Sequence, residues 1–188
     1  MGSISDFLNN MDWWGLLTLL ISAAAALLCI TLHELSHGFV AWRLDMRYFK
    51  HPRQGMALTA LAGPAANFLT ALAAVGVSSA VFHLAPLGPA AVFVLCFLSN
   101  MALLGVGMGL FNLIPLPPLD GSKVLDVLLP ERWYHLVLQY ERYLMLAVVL
   151  LAWSGAFGGP LTAAMELVLR GLCRVVQFPF ALVEYYFF

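Results

Sequence analysis

Between Gln54 and Leu119 the chain carries no Asp, Glu, Lys or Arg. A stretch that long exceeds one crossing of a hydrocarbon core about 30 Å thick, for which roughly 20 apolar residues suffice. At least two spans must lie there. The rest of the chain agrees: of 188 residues, 62% are hydrophobic and only 10% charged, well outside the range of a water-soluble domain. Lipid is the solvent for most of this protein. The formal net charge is −1 and no basic stripe is interleaved with aromatics, so a nucleic-acid partner has no support. Cys29, Cys96 and Cys173 are far apart and form no CxxC pair, so they read as small buried hydrophobes rather than a thiolate site.

The expected fold class is an all-α polytopic membrane protein: a three-span core followed by one or two further C-terminal helices, with residues 1–188 forming a single membrane-embedded domain. The first twelve residues contain Asp6 and Asp12 but no Lys or Arg, which is unlike a cleavable signal peptide. The first apolar segment is therefore expected to stay in the mature protein. Core spans are predicted over about 13–43, 55–83 and 90–113. Arg43, Arg47, Lys50 and Arg53 follow the first span, and the positive-inside rule puts that flank in the cytoplasm and the N-terminus outside. The Pro86-Leu87-Gly88-Pro89 cluster is a turn signal closing the second span.

After the third span, Asn112-Leu113-Ile114-Pro115-Leu116-Pro117-Pro118-Leu119-Asp120-Gly121 cannot be regular helix, because proline removes amide donors and clashes with the preceding turn. Irregular backbone at membrane depth is tolerated only where it is buried in protein or lines a wet cavity, so this loop is a candidate wall of a site. Ser122 to Leu129 reads as a short helix and Glu131 to Arg142 as a polar surface stretch. A fourth span begins near Tyr143, within C-terminal helices covering about 131–188. Leu161 to Val176 fits either another crossing or an interfacial helix, and Phe178 to Phe188 resembles an aromatic interface belt.

His33-Glu34-Leu35-Ser36-His37 is an HExxH pattern. On a helix the i, i+4 spacing stacks both imidazoles on one face, where they can share one zinc ion, and Glu34 beside them can take a proton from water. Ionisable groups within a span are costly, so this turn carries more weight here than in a soluble protein. His37 lies about 9 Å along the helix from Arg43, inside the cytoplasmic half of the bilayer. The alternative is a polar packing patch in which Glu34 pairs with protonated histidine. A catalytic zinc usually keeps three protein ligands and an open position, and Asp120 is the best third ligand. It is the first acidic residue after the uncharged stretch, and spans one and three run parallel, so their inner ends meet. Alternatively, Asp120 caps the helix that follows. Asp126 and Glu131 are weaker candidates. Asn67 and Asn112 either donate to a developing oxyanion or bond between helices. Imidazole and carboxylate ligands also suit other divalent ions. His51, His83 and His135 read as surface histidines, and Gly105, Gly107 and Gly109 as close-packing positions.

With these residues in place, the chain resembles the site-2 protease family of intramembrane zinc metalloproteases. The resemblance rests on His33-Glu34-Leu35-Ser36-His37, Gly63-Pro64-Ala65-Ala66-Asn67, and Asn112 through Asp120-Gly121, in the family's order. It implies His33, His37 and Asp120 as ligands to one Zn2+ per chain and Glu34 as general acid/base, with Asn67 and Asn112 near the site. It also resembles the compact prokaryotic type without a fused regulatory domain. The chain departs from the family at Leu44, which runs straight into Asp45, where relatives of this type carry several dozen residues before a segment like Tyr48-Phe49-Lys50-His51-Pro52. Either the chain carries a deletion there or it is joined across an absent segment; the second is the expectation, and a normal peptide linkage with Cα atoms about 3.8 Å apart would count against it.

The expected reaction is hydrolysis of a peptide bond in a transmembrane protein or peptide substrate, within a cell membrane and toward its cytoplasmic side. Two readings from other classes compete. Ionisable groups in spans also mark the pathways of metal-ion transporters, although here they gather near one face rather than forming a relay. An inactive scaffold that binds membrane helices would have no need of Glu34.

Overall fold

The computed structural model describes residues 13–44, 52–86 and 88–187. Among these are seven helices and no strand: α1 (Trp13–Leu44), α2 (Pro52–Leu84), α3 (Pro89–Asn112), α4 (Asp120–Leu128), α5 (Glu131–Trp153), α6 (Gly158–Val175) and α7 (Phe180–Phe187). Four are long and apolar enough to cross a membrane, within Gly15–Leu44, Pro52–Leu84, Pro89–Asn112 and His135–Trp153. This is a multi-pass membrane protein. The Leu44–Asp45 junction and His51 lie outside the described residues.

Helix α2 is the centre of the bundle and packs against α1, α3 and α4. Its buried positions include Ala57, Ala60, Gly63, Pro64, Asn67, Ala71, Ala74 and Ser78, a run of small residues at spacings of three and four that lines one face. Small side chains let backbones approach, which is how helices associate where water supplies no driving force. At Gly105 of α3 an added Cβ would stand 2.9 Å from the Asn67 carbonyl oxygen and 3.3 Å from Ala71 Cβ, so the close-packing role expected for this glycine holds. On α1 the buried residues Ile21, Ala25, Cys29 and His33 recur every four positions. One stripe therefore docks the helix and leads into the histidine pair. Leucines on the other faces, such as Leu19, Leu20 and Leu27 of α1 and Leu69 of α2, are exposed, as lipid-facing positions should be. Polar side chains pair across the bundle: Ser22 Oγ donates to Asn100 Oδ1 at 2.7 Å, and Asn100 Nδ2 donates to the Cys96 carbonyl at 2.9 Å.

The connection from α3 to α4 is irregular, as its prolines require, and supplies its own hydrogen bonds. The amides of Leu116, Leu119 and Ser122 donate to the carbonyls of Ile114, Leu116 and Leu119 at 2.8–3.0 Å. Gly121 lies under this loop: a Cβ there would meet the Ile114 carbonyl oxygen at 2.6 Å.

The C-terminal third differs in detail from the sequence reading. The polar stretch from Glu131 and the apolar stretch from Tyr143 form one continuous helix, α5, which packs little against the bundle. Helix α6 carries Glu166, Arg170 and Arg174 and is not among the four apolar candidates, yet it lies along α3. Phe157 before its start meets Phe111 edge-on at 6.1 Å, and Ser79 Oγ donates to the Val176 carbonyl beyond its end at 2.7 Å. Its Leu169 and Cys173 are fully buried in the core. Phe178 and Val183 are buried too, with Phe178 edge-on to Phe82 at 6.0 Å, so that part of the aromatic end packs inward rather than forming a belt.

Asp126 on α4 is buried. Burial pushes its carboxyl above the ordinary range, Lys123 and Arg53 pull it back, and Glu141 pushes it further up. Folding thus favours the protonated form. That contribution is full below the unfolded-chain value of about 3.9 and is lost as pH rises through the folded value. Thermal stability in detergent, followed upward from about pH 4, should therefore fall more steeply for wild type than for Asp126→Asn. Parallel profiles would show that this carboxyl feels no net burial.

Candidate metal centre

Three side chains from two distant segments converge beside α2. His33 Nε2 and His37 Nε2 are 3.1 Å apart, and Asp120 Oδ2 lies 3.1 Å from the first and 3.3 Å from the second. The histidines stack because they are one helical turn apart on α1. Asp120 reaches them because it is the first residue of α4, delivered by the proline-rich loop. The α4 N-cap is Leu119, with no side-chain capping bond, so the Asp120 carboxyl faces the imidazoles instead of closing the helix end. This is the one group of three or more His, Cys, Asp or Glu residues among the described residues able to hold a metal ion.

The separations suit zinc. Ligand atoms about 2.0–2.1 Å from a tetrahedral ion stand about 3.3–3.4 Å from one another, close to the three edges observed. The hydrogen bonding behind His37 fits as well. His37 Nδ1 lies 2.7 Å from the Thr59 carbonyl oxygen. A carbonyl can only accept, so His37 carries its proton on Nδ1 and turns the lone pair of Nε2 toward His33 and Asp120.

Gly63 of α2 is the floor of the site. A Cβ there would stand 2.5 Å from His33 Cε1 and 2.6 Å from His33 Nε2, and would also collide with His37 Nε2. Any larger residue would push both imidazoles away. Asn67, one turn further along α2, is fully buried, and its Nδ2 lies 3.0 Å from His33 Nδ1. It therefore stands behind His33 rather than in the space between the ligand atoms. Glu34 follows His33 on α1 and is turned to an exposed face, where it borders an open apolar groove of about 660 Å³ lined also by Ile30, Leu35, Phe39 and Trp42. Asn112 ends α3, half-buried and without a side-chain hydrogen bond among the described residues. Asp126 is on α4 outside the group of three, and His83 pairs with the Ser79 carbonyl at 2.8 Å.

Sequence reading missed two contributors. The Thr59 carbonyl is backbone and leaves no mark in residue type. Gly63 belongs to a quoted motif and continues the small-residue face of α2, a pattern that points to close approach but not to what approaches.

The sequence model of peptidase family M50, the site-2 protease family, matches residues 79–154. That segment holds Asp120 and Asn112 but neither histidine nor Asn67. No curated protein and no solved structure matches. The two histidines therefore come from outside the matched segment, and the fold carries them to the aspartate within it.

Replacing Gly63 by Ala should weaken zinc binding by tenfold or more, on the order seen when a ligand's support is lost, as read by competition with a chromophoric chelator. Wild-type affinity in Gly63→Ala would mean that the rings have room to retreat.

Proposed function

We propose that this chain, taking its similarity to peptidase family M50 as premise, is an intramembrane zinc metalloprotease that hydrolyses peptide bonds of transmembrane substrates. The observation that carries the reading is the meeting of His33 and His37 with Asp120 at tetrahedral-edge distances. In this reading these three residues hold one zinc ion. When bound, zinc supplies Lewis acidity, polarising a carbonyl and lowering the pKa of water.

The remaining chemistry belongs to the chain. Glu34 takes a proton from the water that attacks the scissile carbonyl carbon. As the carbon–nitrogen bond breaks, it passes a proton to the departing amine, which is general acid and base work by one carboxyl. Thr59 holds His37 in the tautomer that leaves Nε2 unprotonated. Asn112, whose amide has no partner among the described residues, has N–H groups available to the oxyanion of the tetrahedral intermediate.

The substrate class follows from the surroundings. The groove beside Glu34 is apolar and opens outward, which suits a polypeptide arriving through the bilayer. A helical substrate hides its carbonyls in hydrogen bonds, so it must unwind locally before attack, and Gly, Pro or Asn near the cut lowers that cost. Arg43 ends α1 and Arg53 begins α2, at the end of the bundle where α3 leads into α4. By the positive-inside rule that end is cytoplasmic, and cleavage takes place toward that side.

The test is cleavage of a model transmembrane substrate by purified protein at equal metal content. Glu34→Gln should lose about 10²- to 10⁴-fold in rate while retaining zinc. Equal behaviour of wild type and variant, whether both cut or neither does, would remove the assignment in favour of a transporter or a helix-binding scaffold. A second test concerns the substrate: replacing its Gly, Pro and Asn residues near the cut by Leu should slow cleavage, and undiminished cleavage would sink the unwinding requirement.

A further inference from the structure

Asn67 Oδ1 is the one buried side-chain polar atom among the described residues that has no hydrogen-bond partner. The side chain is fully buried, and Nδ2 lies 3.0 Å from His33 Nδ1. A buried acceptor without a donor is costly, and native structures rarely keep one. With Nδ2 donating to His33 Nδ1, the His33 proton would sit on Nε2, the atom that faces His37 and Asp120. That tautomer blocks metal ligation, because only the lone pair of a neutral nitrogen binds a metal.

A half-turn of the carboxamide, which leaves its shape unchanged, reverses the His33 hydrogen bond and carries Nδ2 to the place where Oδ1 finds no donor. Oδ1 then lies where Nδ2 was and accepts from His33 Nδ1–H, and the orphaned oxygen gains a donor. The lone pair of His33 Nε2 is freed. The result parallels His37, whose Nδ1–H donates to Thr59 O at 2.7 Å. We infer that Asn67 is a positioning residue: its carbonyl oxygen fixes the tautomer and ring orientation of His33 for metal ligation. This rests on the metal-centre reading and gives Asn67 a task behind the ligand rather than at the oxyanion. The close approach of Gly105 of α3 to the Asn67 backbone oxygen helps to hold the residue in place.

An acceptor role and a donor role make opposite predictions for Asn67→Asp, which keeps an oxygen and loses the N–H groups. In metal-free wild type with ¹⁵N-labelled histidine, at about pH 8, above the ordinary imidazole value near 6.5, His33 should show a protonated Nδ1 and an unprotonated Nε2. Zinc affinity, from chelator competition, should fall about 10- to 100-fold in Asn67→Ala and stay within a few-fold of wild type in Asn67→Asp, with cleavage by zinc-loaded Asn67→Asp retained. A protonated Nε2 in wild type, unchanged zinc affinity in Asn67→Ala, or loss of cleavage by Asn67→Asp with zinc fully bound would overturn the inference. The tautomer measurement needs only the folded wild type, so it decides even if a variant fails to fold. Wild type that binds no zinc and cuts nothing would overturn the protease reading instead, and the tautomer would still report on Asn67.

Discussion

Two imidazole rings rest against the bare α-carbon of Gly63, and much of the arrangement depends on that contact. It sets how closely α1 and α2 approach at the site, and hence where the Nε2 atoms of His33 and His37 stand relative to α4. The contact is possible because α2 keeps a face of small residues from Ala57 to Ser78, and because α1 presents a stripe ending in the histidines themselves. Packing and chemistry share one surface. In lipid, where apolar burial gives helices no reason to prefer each other over acyl chains, such close contact supplies the attraction.

The second constraint is that polar groups inside a membrane protein must find partners within it. Ser22 and Asn100 do so across helices, the proline-rich loop does so through its own amides, and Thr59 spends a backbone carbonyl on His37. Against that background the unpartnered oxygen of Asn67 stands out. Glu34, by contrast, stays open to the surroundings, as the proposed protease reading needs of a group that a substrate must reach.

Much of this was legible in the sequence because lipid simplifies the rules. Length and charge placed the first three long helices to within a few residues, and His33, His37 and Asp120 could be grouped because ionisable groups in spans are so few. What was hidden depends on register between helices. That Gly63 faces the imidazoles, and that Asn67 lies behind His33 rather than beside the open space, follow from how α2 is rotated against α1, which residue types do not encode. The C-terminal region was hidden for a different reason. Helix α6 is less apolar than α5 yet lies in the bundle, because Leu169 and Cys173 make a buried stripe while Glu166 pairs with Arg170 on the outer face. Hydropathy averaged over a segment cannot separate the two faces.

Helix α1 also acts as a ruler. Ile21, Ala25 and Cys29 fix its rotation against the bundle, and His33 and His37 continue the same count of four. One residue inserted between Cys29 and His33 would turn the histidines by about 100° relative to their anchor, whereas insertions in the segment between α1 and α2 leave that phase untouched. Length can therefore change beyond His37 without disturbing the site's phase, but not between Ile21 and His37.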